Sequence, residues 1–226
     1  MAQVFCSAII ALCVAACHRL VTMSAADVVG WYDLEWSGGS FPVCFRPVGV
    51  FFCPKFQAQA KWTIEGDIIK IDWQKFGQYE LKFDASSKTM EGNAIPKSDK
   101  EANWRKAKNF RPLSDVEKLI LGDGAGSRWE FSWKDGSFPV EFKADGYNHF
   151  KCSDFPAHAH WTLEGSEIKI NWGEYGKYKL AIDAEAKTMS GGEDGGDESK
   201  DTWWRKAAFS ENLINSATLE ACDHHH

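Results

Sequence analysis

The sequence predicts an all-β protein: two tandem, homologous, small antiparallel β-barrels of the meander type, each preceded by a short helical turn. Three observations carry this reading. The stretch Trp62–Leu81 recurs, position by position, as Trp161–Leu180. In each copy apolar and polar residues alternate: Trp62 and Ile64, then Ile69, Ile71 and Trp73, then Tyr79, Leu81 and Phe83. That period of two gives each strand one apolar face. The runs are also short and separated by turn chemistry such as Glu65-Gly66 and Phe76-Gly77, so consecutive strands pair antiparallel. A sheet of seven or eight such strands must cover its aromatic face, and closing on itself does so.

Along the chain, residues 1–25 open with an apolar run from Val4 to Ala16. That is too short for a membrane span, which needs ~20 apolar residues, and has the length of a signal-peptide core. Cleavage after Ala25, or a lipoprotein-type box at Val14–Cys17, is set against a start at Met23. No Lys or Arg precedes the run, and no Asn-x-Ser/Thr sequon occurs. Secretion is favoured over a cytoplasmic location.

Ser24–Asp27 and Ser114–Glu117 are helix-capping sequences, one before each repeat. The first barrel is expected over residues 26–110, a linker with a short helix over 111–125, the second barrel over 126–209 and a tail over 210–226. Trp36 aligns with Trp133, Lys88–Met90 with Lys187–Met189, and Trp104–Ala107 with Trp204–Ala207. The offset rises from 97 to 99 to 100, placing a two-residue insertion near Gly146 and one more residue near Gly195. Insertions confined to turns are what a structural duplication predicts.

Eleven tryptophans and fifteen phenylalanines mark a folded chain, and a net charge of −6 argues against nucleic acid or an anionic membrane surface as the main partner. Of seven cysteines, Cys6, Cys13 and Cys17 lie in the apolar segment. Cys44, Cys53, Cys152 and Cys222 show no zinc-type spacing and are read as free thiols. Cys53 and Cys152 are equivalent, and a register that serves both copies sets them opposite Val43 and Val140. It also sets Glu141 beside Lys151 as a cross-strand ion pair.

No Gly-x-Ser-x-Gly elbow, phosphate loop, dinucleotide fingerprint or His-Glu-x-x-His sequence occurs, and no cofactor is implied. Trp36, Trp62, Trp73, Trp104, Trp133, Trp161, Trp172 and Trp204 fall on the inward face, which suits either a packed core or an aromatic-lined cavity. Lys106 and Lys206 share that phase, as anion anchors at a barrel mouth or as stems closing the barrel end, unless a bulge brings Arg105 and Arg205 inward instead. Trp31 and Trp203 face outward, towards a sugar or an interface between units. Asp84 and Asp183 cap hairpins, and the acidic, glycine-rich stretch 191–201 reads as a solvated hairpin tip.

His149, His158 and His160 stand where the first repeat has Phe52, Gln59 and Lys61. Two of them share a strand face, a pattern that also arises by chance, and no metal is assigned. His224–His226 read as a tail or tag remnant.

Trp36 or Trp133 on the first strand, with Trp104-Arg-Lys or Trp204-Arg-Lys on the last, resembles the calycins, the lipocalin and fatty-acid-binding barrels. The resemblance implies that a basic residue of the last strand packs across the first-strand tryptophan, and that the barrel carries a ligand. At about 80 residues each copy is small for an eight-stranded lipid carrier. The function expected is a non-enzymatic binding protein with a small apolar or amphipathic anionic ligand in a barrel cavity lined by those eight tryptophans and the two lysines. The alternative is a lectin-like or structural bivalent module that offers outward aromatics to a glycan.

Overall fold

The computed structural model describes residues 23–97 and 101–214. The apolar segment with its signal-peptide reading, Cys222 and His224–His226 lie outside the described residues. A first short helix, α1 (Ala25–Val28), leads into β1 (Gly30–Trp36), β2 (Gly39–Phe45), β3 (Val50–Phe52), β4 (Ala60–Glu65), β5 (Ile68–Asp72), β6 (Gln78–Asp84), β7 (Thr89–Ile95) and β8 (Trp104–Arg111). These close into one antiparallel barrel, with β8 back against β1 so that Ala107 faces Leu34.

Helix α2 (Asp115–Leu121) separates this barrel from the second. There β9 (Gly126–Trp133), β10 (Gly136–Lys143), β11 (His149–Cys152), β12 (Ala159–Glu164), β13 (Glu167–Asn171), β14 (Lys177–Asp183), β15 (Thr188–Glu193) and β16 (Trp204–Asn212) close in the same way. β16 runs three residues past the boundary read from the sequence, through a register shift between Phe209 and Glu211.

Both capping sequences work. The Ser24 amide donates to the Asp27 carboxylate at 2.8 Å. The Ser114 amide donates to Glu117 at 2.7 Å, and Glu117 returns its own amide to the Ser114 hydroxyl at 3.2 Å. Each closes the orphan amides of a helix too short to stand alone. Asp84 and Asp183 cap their hairpins by accepting from Ser86 and Glu185 amides at 2.9 and 3.0 Å.

An eight-stranded barrel is just wide enough for its side chains to fill. Here they do. Trp62, Trp73, Trp161 and Trp172 are each 3% exposed. Their indole N–H groups donate to the carbonyls of Arg46, Phe56, Lys143 and Phe155 at 3.0–3.1 Å. Around Trp73 the rings of Phe41, Phe51, Phe56, Phe76 and Tyr79 lie 5.0–6.3 Å away, edge-on or tilted. Such pairs add ~0.5–1.5 kcal/mol each beyond burial alone. The expected barrel cavity is corrected on this point: these four tryptophans are core, and a ligand inside would have to displace them.

Val140 faces Cys152 and Glu141 faces Lys151. The ion pair expected from that register is not formed. Glu141 binds Arg128 and Lys143, both at 2.8 Å. In β2, Val43 and Phe45 point into the barrel while Cys44 points out. Cys53 belongs to the interior, so the sheet lies between Cys44 and Cys53. All three described cysteines are buried free thiols.

Candidate ligand-binding cleft between the barrels

The outward positions of most strands are polar, but Trp31, Cys44 and Phe52 on the outer face of β1–β3 are not. They pack against the core of the second barrel, with Ile120 and Leu121 of α2 beside them. The outer face of the first barrel is therefore a second apolar surface, which the second barrel covers. Between the two lies a cleft of about 650 Å³, lined by Trp31, Phe52, Ile120, Leu121, Trp161 and Leu163, with Arg46, Arg111 and Glu117 as its charged members. This volume sits within the ~300–1,000 Å³ usual for small-molecule sites.

The two arginines differ. Arg111 is neutralised by a forked pair with Glu117, at 2.6 and 2.8 Å. Glu117 also accepts from the Trp31 indole at 2.7 Å. Burial raises the Glu117 pKa, but the donors of Arg111, Ser114 and Trp31 outweigh it and hold the group below its usual value.

Arg46 is only 3% exposed. Its Nη1 donates to two neutral oxygens, the Asp145 carbonyl at 3.0 Å and the Asn148 side chain at 2.8 Å. The guanidinium lies 3.7 Å from the centre of the Phe52 ring. Its buried Nε has no hydrogen-bond partner among the described residues. Burial pulls its pKa down to about 10, against the opposing pull of Cys44 and Asp145. It stays charged at neutral pH. No salt bridge meets that charge among the described residues: burial pushes the Cys44 thiol up to about 12 even beside the arginine, the Asp145 carboxylate bonds His149 and two backbone amides, and Glu117 is paired with Arg111. A buried cation held only by dipoles is costly, and an anion beside it relieves that cost.

Of the predicted site residues, Trp161 lines this cleft and the others fall elsewhere. Lys106 and Lys206 are outside the barrels: Lys106 pairs with Glu91 at 3.1 Å, and Lys206 lies 5.7 Å from the Trp204 ring. Trp104 and Trp204 share that outer face, half-buried. The inward residues of the Trp-Arg-Lys-Ala sequences are Arg105 and Arg205. Their guanidinium carbons stand 5.7 and 5.6 Å from Trp36 and Trp133. The last-strand base packs over the first-strand tryptophan, and it is an arginine. Trp36, 40% exposed, forms with Phe41, Phe56, Phe76 and Arg105 an open hollow of about 250 Å³ at the barrel end. The Arg105 Nη1 there is committed to the carbonyls of Ala102 and Trp104, both at 2.8 Å.

Trp31 is taken up by the contact between barrels, and Trp203 folds back on its own hairpin, donating to the Glu193 carbonyl at 2.9 Å. Both indoles are half-buried.

Sequence reasoning missed Arg46, Asn148 and Glu117. The signal was available: Trp31, Cys44 and Phe52 are apolar where the alternation calls for polar residues. Compared with protein-family models, curated proteins and solved structures, the chain matches none.

Proposed function

We propose that the protein is a non-enzymatic binding protein for a small amphipathic anion, an apolar body with one carboxylate, held between the two barrels. The observation that carries this reading is Arg46: a buried cation with no salt bridge among the described residues, lining an apolar cleft of about 650 Å³. A carboxylate there gains a charge-assisted bond in a site of low dielectric. The indoles and aliphatic side chains of the walls suit an apolar body. The reading keeps the ligand-carrying role that the calycin resemblance implies and moves the ligand from the barrel interior to the junction.

The test is binding of a fluorescent naphthalene-sulfonate probe and its displacement by straight-chain carboxylates. Arg46→Met removes a charge-assisted bond worth ~1.5–3 kcal/mol, so affinity should fall about 10–100-fold. Lys106→Met, Lys206→Met and Arg105→Met should leave it unchanged. A probe that does not bind the wild-type protein rejects the reading, as does one indifferent to Arg46→Met. Sensitivity to Arg105→Met alone would move the site to the barrel end.

A further inference from the structure

The second barrel carries a group of side chains that the cleft does not use. His149 on β11 and His160 on β12 face each other directly across the two strands, and His158 lies two residues before His160 on the same face. One ring nitrogen from each of the three lies within 4.8 Å of the others. The Nε2 atoms of His158 and His160 are 3.0 Å apart. Around a tetrahedral zinc ion with bonds of ~2.0–2.1 Å, ligand nitrogens stand roughly 3.3 Å from one another. Small rotations of the rings would bring these three to that spacing.

Two of the rings are held from behind. His149 Nδ1 meets the Asp145 carboxylate at 2.5 Å, and His160 Nδ1 donates to the Tyr147 carbonyl at 2.9 Å. A carboxylate or carbonyl on Nδ1 fixes the tautomer and leaves the lone pair of the other nitrogen for a metal. Stacking of the rings alone would need no such anchoring. Both anchors come from the five-residue turn 144–148, where the first barrel has only Pro47, Val48 and Gly49. The positions matching the three histidines in the first barrel are Val50, Gln59 and Lys61, since Val50 faces Lys61 as His149 faces His160. The expected match of His149 with Phe52 is thereby corrected by two residues. The anchored triad belongs to one repeat only.

We infer that His149, His158 and His160 form a binding site for a divalent zinc-class cation. Three neutral imidazoles suit zinc, copper or nickel and not calcium or magnesium. His158 is exposed, so the fourth position opens to solvent and takes water or an exchangeable ligand.

The experiment is calorimetric titration of the chelator-stripped full chain with Zn²⁺ alone. His224–His226 could bind zinc themselves, so a variant with all three replaced by alanine is titrated beside the wild type. Both should bind one zinc ion at the triad. His158→Gln and His160→Gln should weaken that event by at least the ~10–100-fold that loss of an outer-shell partner alone produces. His158 is exposed, so its replacement tests the site without disturbing the fold, and near-ultraviolet circular dichroism checks both variants. Zinc binding that disappears with the tail histidines, or that survives both glutamine substitutions, overturns the inference, as does the absence of binding.

Discussion

Arg46 of the first barrel donates to the side-chain oxygen of Asn148 in the second at 2.8 Å, a buried bond between residues 102 apart in the chain. It joins two closed barrels whose sheets share no strand. Asn148 holds a left-handed backbone, φ +54°, which asparagine tolerates better than most residues. Asn148→Gly keeps that conformation and removes the acceptor. Stability to urea should fall by ~1–3 kcal/mol, the cost of an unsatisfied buried donor. Asn148→Asp supplies the missing anion from within. It should match or exceed the wild type in stability while weakening the naphthalene-sulfonate probe.

Glu117 makes stability depend on acid. Its folded pKa lies below the ordinary 4.5. The stability it contributes is therefore complete above about that pH and is lost as pH falls through the lower, folded value. Asp145 and Glu141 are depressed too, so the diagnostic quantity is a difference. Urea unfolding of wild type and Glu117→Gln should give a gap in stability that is constant above about pH 4.5 and closes as pH falls through the lower, folded value. A constant gap across the range would remove Glu117 from the titration.

The three buried thiols should be inert. Burial raises the pKa of all three, Cys44 to about 12, so little thiolate exists at pH 8. Alkylation followed by mass spectrometry should label Cys44, Cys53 and Cys152 slowly in the native protein and fast in urea. A mapped Cys44–Cys53 disulfide would contradict the placement of the two on opposite faces of the sheet.

Residues 112–214, expressed alone, should keep the second barrel. That barrel closes on itself, and β16 needs its full length, because the Leu213 amide still donates to the Gly126 carbonyl at 2.9 Å. The near-ultraviolet spectrum should remain structured. The melting temperature should drop, because Ile120, Leu121 and Leu113 lose the cover of Cys44 and Phe52. A featureless spectrum would mean that the two barrels form one cooperative unit.

Strand alternation, glycine turns and capping sequences made both barrels legible, because each is a local rule written in every copy. The phase of β8 and β16 is ambiguous in the sequence, because either Trp104 and Trp204 with the lysines or Arg105 and Arg205 with the alanines can take the inward side, and the structure has the second. In a barrel already filled by Trp62 and Trp73, the inward neighbour of Leu34 has to be small, and it is Ala107. The alternation of Lys106, Ala107 and Lys108 carried that phase. Arg46 was not legible as a site residue, because its meaning depends on Asn148 and Asp145 in the other repeat. The histidine triad was half legible: the shared face of His158 and His160 follows from spacing, whereas the anchors Asp145 and Tyr147 needed the fold.

The asymmetry of the repeats bears on how many units can assemble. The contact between the barrels is head-to-tail, and such contacts between like units are open-ended by symmetry: a third could dock on the second as the second docks on the first. By the alignment of the copies, Trp31, Cys44, Arg46 and Phe52 become Arg128, Glu141, Lys143 and Lys151 in the second barrel. Arg128 there bridges Glu141 and Glu211, and Lys143 also pairs with Glu141. An incoming unit would have to strip water from this charged lattice and find no apolar face beneath it. The duplication has thus kept the fold twice and the apolar docking face once: where the first barrel offers aromatic rings to its neighbour, the second offers paired charges to water.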